Sequence, residues 1–160
     1  MNILVTGGLG YLGSHAVVEL IKQNYGVVIL DNLSNSHRKN LEIIEKITDQ
    51  KIDFYEADIR EKLKLNKILK DNNISGIMHF AGLKSVSKSN FQREEYFDVN
   101  VNGTRSLIDA LNETTKNKKF FIYSSSACVY GNPEYLPYDE SHSLKPENYY
   151  GETKLQSEQI

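Results

Sequence analysis

Two residues near the carboxyl end of the chain, Tyr150 and Lys154, have the spacing to act together in proton transfer. Side chains four residues apart lie on one face of a helix. An ammonium group near a phenol favours the phenolate, so it lowers the pKa of the tyrosine from about 10 toward working pH. A tyrosine tuned in this way can take a proton from an alcohol and return it. Tyr149 lacks this partner, because Thr153 follows it by four residues.

The position of this pair in the chain strengthens the prediction that it is catalytic. In a chain with 10 tyrosines and many lysines, about one Tyr-x-x-x-Lys spacing is expected by chance. Here the pair follows a predicted strand over residues 120–123 and the polar run Ser124, Ser125 and Ser126. Ser126 could hydrogen-bond the same alcohol oxygen as Tyr150. The plainer interpretation of the serines is a polar loop.

A glycine-rich turn lies at the other end of the chain, in the segment Thr6-Gly7-Gly8-Leu9-Gly10-Tyr11-Leu12-Gly13. An apolar run over residues 2–5 precedes it, and apolar residues at helical spacing follow it over 16–21. Glycines permit a tight turn and let backbone N–H groups approach a pyrophosphate, and the helix start offers a positive dipole end. Such glycines alone are a weak signal, but strand, turn and helix in this order predict a dinucleotide site.

A carboxylate follows this turn at the distance expected for a ribose contact. Asp31 ends the apolar run Val27-Val28-Ile29-Leu30, about twenty residues after the glycines, where an acidic residue meets the ribose hydroxyls. Its negative charge would repel a 2′-phosphate. The sequence therefore predicts NAD rather than NADP as the cofactor.

The elements that must position these residues alternate regularly along the chain. Helices are predicted around residues 41–47, 63–69 and 99–111, and strands over 52–54, 74–80 and 120–123. Alternation with short connections predicts a Rossmann-type doubly wound parallel sheet, an α/β fold with helices on both faces. The segment Gly131–Asn148, which carries all three prolines, is predicted to run over the surface before a last helix at about Tyr150.

The length and the last helix together indicate one incomplete domain. The chain has 160 residues, enough for one well-buried domain but short for two. The last helix runs into Ile160 without a stop signal. We therefore expect residues 1–160 to form an NAD-binding Rossmann domain that is truncated before its substrate-binding part.

Composition excludes several classes of function. Charged residues make up 25% of the chain and the net charge is −2, so there is no basic field for nucleic acid or an acidic membrane. The densest basic cluster is Lys116, Lys118 and Lys119, typical of a solvated helix end. No apolar run approaches membrane-spanning length, and no secretory signal precedes the first strand. The single cysteine, Cys128, fits a reducing cytoplasm, and no metal site is predicted.

Polar residues follow three predicted strands at the edge where such sheets bind ligands. Asp58 follows the third strand, residues 81–84 the fourth and residues 124–126 the fifth. Asp58 and Ile59 could contact an adenine, and Lys84 a ribose or a phosphate. Alternatively, Asp58 caps a helix that begins near Arg60, and one residue could do both.

Six segments together resemble the extended short-chain dehydrogenases, and among them most closely the UDP-glucose 4-epimerase family. The resemblance covers nearly the whole chain, and the segments are specific in combination. They are Thr6-Gly7-Gly-Leu-Gly10-Tyr-Leu-Gly13-Ser14, Asp31-Asn32-Leu33-Ser34-Asn35-Ser36, His79-Phe80-Ala81-Gly82-Leu83-Lys84-Ser85-Val86, Asn100-Val101-Asn102-Gly103-Thr104, Ser124-Ser125-Ser126-Ala127-Cys128-Val129-Tyr130-Gly131 and Tyr150-Gly-Glu-Thr-Lys154.

The resemblance implies an isomerase that interconverts UDP-galactose and UDP-glucose through a transient 4-keto sugar and tightly bound NAD. It implies Tyr150 as the catalytic acid and base, assisted by Ser126 and Lys154. Sugar-nucleotide contacts would come from Lys84, Ser85, Val86, Ser87, Ser126 and Tyr150. NAD contacts would come from Gly7, Gly10, Tyr11, Leu12, Gly13, Asp31, Asn32, Leu33, Ser34, Asn35, Ser36, Asp58, Ile59, Phe80, Ala81, Gly82, Leu83, Lys84, Asn100, Ser126, Tyr150 and Lys154.

Members of that family are about twice as long as this chain, and their carboxyl-terminal part supplies most uridine and diphosphate contacts. We therefore expect the 160-residue chain to be inactive alone. The resemblance also implies that the full-length protein is a homodimer, because the Tyr150 helix lies in a region that pairs subunits in related enzymes. One alternative is a nucleotide-sugar 4,6-dehydratase. Such enzymes typically carry an Asp-Glu pair just after the fifth strand, where Ser126-Ala127 stands here. A second alternative is a non-catalytic fragment that binds NAD or acts as an interaction module.

Overall fold

The computed structural model describes residues 1–114 and 119–160, so Lys116 and Lys118 of the predicted basic cluster lie outside the described residues. The strands are β1 (Asn2–Thr6), β2 (Gly26–Asp31), β3 (Asp53–Glu56), β4 (Ile74–His79) and β5 (Phe120–Tyr123). The α-helices are α1 (Tyr11–Lys22), α2 (Lys39–Thr48), α3 (Lys62–Asp71), α4 (Val86–Ser89), α5 (Arg93–Tyr96), α6 (Gly103–Thr114) and α7 (Tyr149–Glu158). A π-helix spans Phe97–Asn102, and a 3₁₀-helix spans Ala127–Val129.

Two compact units divide the chain. The sheet unit comprises residues 1–81 and 106–124, and the helical unit comprises residues 82–105 and 125–160. All five strands belong to the sheet unit. All pairs are parallel in the order β3-β2-β1-β4-β5, with Leu4 of β1 opposite Val28 of β2 and Ile77 of β4. The predicted doubly wound parallel sheet is confirmed.

Two apolar clusters cover opposite faces of this sheet. Successive side chains of a strand point to opposite faces, and β1 therefore sends Leu4 into one cluster and Ile3 and Val5 into the other. The first cluster contains Leu65, Ile68 and Leu69 of α3 with Leu107, Ala110 and Leu111 of α6. The second contains Val17 and Ile21 of α1 with Ile44 of α2. Both faces of the sheet are buried by helices, as the sequence predicts.

The interior of the helical unit is unusually polar. Its buried apolar residues are Tyr96, Val101 and Val129, whereas its buried polar residues are Ser89, Asn100, Thr104, His142, Thr153, Lys154 and Ser157. Buried polar groups are stabilised only when they find hydrogen-bond partners. Hydrogen bonds therefore fix the geometry of this unit more than apolar packing does.

Several predicted boundaries differ from the structure by one or two residues. β3 lies at 53–56 rather than 52–54, β4 ends at His79 and α7 begins at Tyr149. The segment from Gly131 to Asn148 contains no helix or strand and is mostly exposed, as predicted. His142 is its buried exception, where Nε2 accepts the N–H of Glu134 at 3.0 Å. No helix among the described residues is both long and apolar enough to cross a membrane.

Candidate active site

The glycine turn of the sheet unit has a geometry that larger residues cannot adopt. Gly7 has a φ of +66°, and a Cβ on it would lie 2.7 Å from the backbone N of Ala81. A Cβ on Gly13 would lie 2.1 Å from the carbonyl oxygen of Gly7. Both positions therefore require glycine for space, and Gly7 also requires it for its left-handed backbone.

Helix α1 begins directly after this turn with backbone N–H groups that can face an anion. Its N-cap, Gly10, has extended backbone and provides no side-chain cap, and the first turn contains no acidic residue. The N-terminal amides of a helix have no partner within the helix and carry the positive end of its dipole. The side chains of Tyr11 and Leu12 are exposed beside them. This combination is suited to binding a phosphate group.

The carboxylate of Asp31 organises the chain next to this turn. Its Oδ2 accepts the N–H of Leu9 at 3.1 Å, and its Oδ1 accepts the N–H of Leu33 at 2.9 Å and the hydroxyl of Ser36 at 2.8 Å. Asp31 and Ser36 are buried, whereas Asn32, Ser34 and Asn35 are exposed. Because an ionised carboxylate accepts about four hydrogen bonds, Asp31 retains capacity for a ligand hydroxyl.

Asp58 is held in a polar turn rather than at a helix cap. Its Oδ1 accepts the N–H of Arg60 at 3.0 Å, and the Arg60 guanidinium donates to both carboxylate oxygens. The hydrogen bond from Arg60 is the main reason that the pKa of Asp58 falls to about 2. The alternative that Asp58 caps a helix near Arg60 is wrong, because α3 begins at Lys62 with Glu61 as its N-cap.

Two of the residues predicted to contact NAD in the sheet unit have side chains that pack against the hydrophobic core, which restricts their contacts with a ligand. The side chain of Ile59 is 4% exposed and packs in the core, so only its backbone can meet a ligand. Phe80 packs against the opposite apolar cluster and remains partly buried.

Asn100 connects two segments of the helical unit through its amide group. Its Oδ1 accepts the N–H of Leu83 at 2.8 Å, and its Nδ2 donates to the carbonyl of Leu83 at 3.0 Å and to the hydroxyl of Thr153 at 3.1 Å. Asn100 lies in the π-helix, a form that occurs frequently at functional sites. The side-chain amide predicted to hold a cofactor therefore fixes the backbone of Leu83 and links it to α7.

The loop before α4 carries the residues predicted to contact a sugar nucleotide. Lys84, Val86 and Ser87 are all exposed. Ser85 caps α4 and also accepts the hydroxyl of Tyr96 through its carbonyl oxygen at 2.8 Å. Gly82, which precedes this loop, has a φ of +157° and faces the Oδ1 of Asn100.

Helix α7 and the 3₁₀ turn bring the three predicted catalytic residues together. The hydroxyl of Ser126 acts on the Tyr150 phenol and favours its phenolate form. The Nζ of Lys154 lies 5.8 Å from the centre of the Tyr150 ring, and Lys154 is 8% exposed. The helical spacing therefore places the phenol and the amine on one face of α7, as predicted.

Burial dominates the electrostatics of this pair. The pKa of Tyr150 is raised, first because burial disfavours the phenolate, although the hydrogen bond from Ser126 works in the opposite direction. Burial also lowers the pKa of Lys154 to about 8. The expectation that Lys154 lowers the pKa of Tyr150 is therefore wrong for the protein by itself, because burial of the phenol outweighs the effects that favour the phenolate.

Three side chains that the sequence analysis did not single out hold the first turn of α7. The N–H of Tyr149 donates to Oδ1 of Asn90 at 3.2 Å, and the N–H of Tyr150 donates to the hydroxyl of Ser89 at 3.0 Å. The N–H of Gly151 donates to Oδ1 of Asn148 at 2.8 Å. Asn148 could have been found as an N-cap preceding a helical segment, but Ser89 and Asn90 are remote in sequence and give no such signal.

Among the described residues, no group of three or more His, Cys, Asp and Glu side chains could hold a metal ion. The sheet unit carries the glycine turn and Asp31, and the helical unit carries the group of Tyr150, Ser126 and Lys154.

Comparison with known proteins places this chain in a family. The family model described as GDP-mannose 4,6 dehydratase matches residues 4–160. The UDP-glucose 4-epimerase of Pasteurella multocida is 46% identical over 161 residues, which cover 100% of this chain and 47% of that protein. The UDP-glucose 4-epimerase of Klebsiella pneumoniae is 47% identical over 141 residues, which cover 88% of this chain and 100% of that sequence.

Solved structures give the same picture. The crystal structure of a UDP-glucose 4-epimerase from Stenotrophomonas maltophila, with bound NAD and formylated UDP-arabinopyranose, has a TM-score of 0.95 and 43% identity over 99% of this chain and 47% of that chain. The enzyme from Bifidobacterium longum, in complex with NAD⁺ and UDP, has a TM-score of 0.95 and 38% identity over 100% of this chain and 48% of that chain. This chain spans about half the length of most of these relatives.

Proposed function

Because the chain belongs to the GDP-mannose 4,6 dehydratase family, we propose that it supplies the NAD-binding and proton-transfer part of a UDP-glucose 4-epimerase. The observation that carries the proposal is the group of Tyr150, Ser126 and Lys154, in which a partly buried phenol has a serine hydroxyl acting on it and a buried amine one helical turn away. The relatives named UDP-glucose 4-epimerase support the choice of reaction.

NAD fits the residues of the sheet unit. The glycine turn has no room for side chains, the first turn of α1 presents uncapped amides, and Asp31 keeps capacity for a hydroxyl. The carboxylate of Asp31 favours NAD over NADP, because a 2′-phosphate would bring a second negative charge to a buried acid. Structures of relatives with bound NAD support this choice.

Tyr150 would act as the acid and base on the sugar 4-hydroxyl. Its phenolate takes the hydroxyl proton, and its phenol returns a proton when the other epimer forms. The Ser126 hydroxyl favours the phenolate, and Lys154 lies on the same helix face as the phenol. When bound, NAD supplies the hydride acceptor and donor for this exchange, which involves no net oxidation.

The name of the family model makes a 4,6-dehydratase the closest alternative. Removal of water from a 4-keto sugar requires a proton donor beside the catalytic tyrosine, and dehydratases resembling this chain use an Asp-Glu pair. The 3₁₀-helix here contains Ala127, Cys128 and Val129 after Ser126, and none of these is an acid. The epimerase is therefore favoured over the dehydratase.

Other parts of the assignment rest on the resemblance. The exposed loop over Lys84–Ser87 would approach the sugar nucleotide, and the remaining NAD contacts predicted from the sequence would follow the family pattern. We also propose a homodimer and a cytoplasmic location, the latter because the chain has a single cysteine. The chain alone would lack most substrate-anchoring groups, so it would bind NAD without turning over.

Product analysis tests the proposal. The chain and a version extended to the length of its relatives are each incubated with UDP-galactose, and UDP-glucose, 4-keto-6-deoxy sugar and retained NAD are measured. We expect UDP-glucose from the extended protein only, with NAD bound to both. A 4-keto-6-deoxy product would establish the dehydratase instead. NAD binding without any product from the extended protein would favour a non-catalytic NAD-binding module.

A further inference from the structure

Gly151 lies in a helix at a position where the backbone conformation does not require glycine and where glycine does not stabilise the helix. It is the third residue of α7, between Tyr150 and Glu152, and its φ is not in the left-handed region. Glycine is among the poorest helix formers, so alanine would be the better residue for the helix itself. The reason for glycine must therefore lie in what surrounds it.

The surroundings leave no room for a side chain. A Cβ on Gly151 would lie 2.6 Å from the carbonyl oxygen of Cys128, 3.1 Å from its carbonyl carbon and 3.0 Å from Cβ of Pro146. Two of these atoms are backbone and the third belongs to a proline ring. None can swing aside as the end of a flexible side chain would.

The carbonyl of Cys128 belongs to the same rigid turn as the hydroxyl of Ser126. Ser126 caps the 3₁₀-helix through its hydroxyl, which accepts the N–H of Cys128 at 3.2 Å, and its carbonyl accepts the N–H of Val129 at 3.1 Å. A displacement of Cys128 would therefore move Ser126 with it.

Helix α7 cannot simply withdraw from this turn. The hydroxyl of Ser157 donates to the carbonyl of Asn100 at 3.0 Å, and the amide of Asn100 donates to Thr153 at 3.1 Å. Ser89 accepts the N–H of Tyr150 at 3.0 Å. An added side chain at position 151 would therefore disturb the contact between the 126–129 turn and α7.

We propose that Gly151 is a positioning residue, whose missing side chain lets α7 approach the 126–129 turn closely enough for the Ser126 hydroxyl to act on the Tyr150 phenol. The catalytic consequence of this inference rests on the proposed function, but the close approach of α7 to the turn can be tested without an activity assay. Gly151 touches neither substrate nor cofactor in this account. It acts through Tyr150 and Ser126.

The test reads the surroundings of the Tyr150 phenol directly in the 160-residue chain. The chain is labelled with ¹³Cζ-tyrosine, the Tyr150 resonance is assigned with Tyr150→Phe, and spectra are recorded near pH 7.5. Ser126→Ala gives the chemical shift of a Tyr150 that has lost the influence of the Ser126 hydroxyl. We expect Gly151→Ala to move the Tyr150 resonance toward the Ser126→Ala position, and the exposed control Gln156→Ala to leave it at the wild-type position. A folded Gly151→Ala chain with an unchanged Tyr150 resonance would overturn the inference.

A second variant guards against misfolding. If Gly151→Ala alone does not fold, Gly151→Ala/Pro146→Gly removes the proline contact but keeps the contact with the Cys128 carbonyl. The same displacement of the resonance is expected in it, and a wild-type resonance would count against the inference.

Activity of the extended protein separates this inference from the proposed function. We expect Gly151→Ala to lower kcat for UDP-galactose about 10- to 100-fold with little change in KM, because catalytic groups lose their alignment. Added to Ser126→Ala, it should lower kcat little further, since both substitutions act through the effect of the Ser126 hydroxyl on Tyr150. If Tyr150→Phe abolishes turnover while Gly151→Ala does not alter it, the inference fails and the proposed function stands. If Tyr150→Phe stays fully active, the proposed function fails whatever Gly151→Ala does.

Discussion

Replacing Lys154 by methionine should stabilise the chain at neutral pH, although Lys154 is a predicted catalytic residue. Lys154 is 8% exposed, and its burial lowers its pKa from 10.5 to about 8. At neutral pH the folded chain must therefore either bury an ammonium group or give up a proton that the unfolded chain keeps. Methionine fills similar space without a charge.

The sign and size of the effect follow from proton linkage. Between pH 8 and 10.5 the unfolded chain binds more protons at this site than the folded chain, so stability rises with pH. The difference between the two pKa values corresponds to about 3 kcal/mol, which is fully unfavourable below pH 8 and absent above 10.5. Lys154→Met should therefore raise the free energy of unfolding by up to about 3 kcal/mol at pH 7 and by about 1 kcal/mol at pH 10.

Urea denaturation followed by circular dichroism at both pH values measures these differences, with Lys67→Met on the exposed face of α3 as the control. The control should show no pH-dependent gain. If Lys154→Met is no more stable than the wild type at pH 7, or if its advantage does not shrink as the pH rises, the reasoning from burial is refuted.

Three further predictions concern the residues that hold the site. Asn100→Ala should lower the free energy of unfolding by about 1–3 kcal/mol, because it leaves buried partners at Leu83 and Thr153 unsatisfied, and urea denaturation would detect this. Gly13→Ala should weaken NAD binding at least about tenfold, measured by titration calorimetry, because its Cβ would meet the Gly7 carbonyl, and unchanged affinity would contradict the fit of the turn. Asp31→Asn should lower stability by about 1–2 kcal/mol, measured by thermal unfolding, because one amide oxygen replaces two carboxylate acceptors.

The periodic parts of the fold could be predicted because the residues that determine them are close in sequence or recur at regular spacing. Apolar runs and helical spacing located β1, β2 and β5 within a residue or so, and the alternation of elements gave the parallel sheet. The glycine turn was predictable because the left-handed backbone of Gly7 and the close approach of Gly13 to Gly7 are local requirements, although the contact of Gly7 with Ala81 is not.

The remaining features depend on contacts between distant segments. Asp58 looked like a helix cap, but its partners Arg60 and Asn32 draw it into a turn before α3 begins. The pKa of Tyr150 depends on how far other segments of the chain bury its phenol, and the spacing to Lys154 gives no information about that burial. Ser89 lies 61 residues from the N–H that it accepts, so no local pattern indicates its role.

Loss of the phenol hydroxyl in the extended protein tests the central claim most directly. Tyr150→Phe keeps the ring and removes the only group proposed to take the sugar proton. We expect conversion of UDP-galactose to UDP-glucose to fall at least about a hundredfold, the order of a general acid–base contribution, while NAD stays bound at the wild-type ratio. Conversion at a rate near that of the wild type, with NAD still bound, would contradict the assignment of Tyr150 as the acid and base.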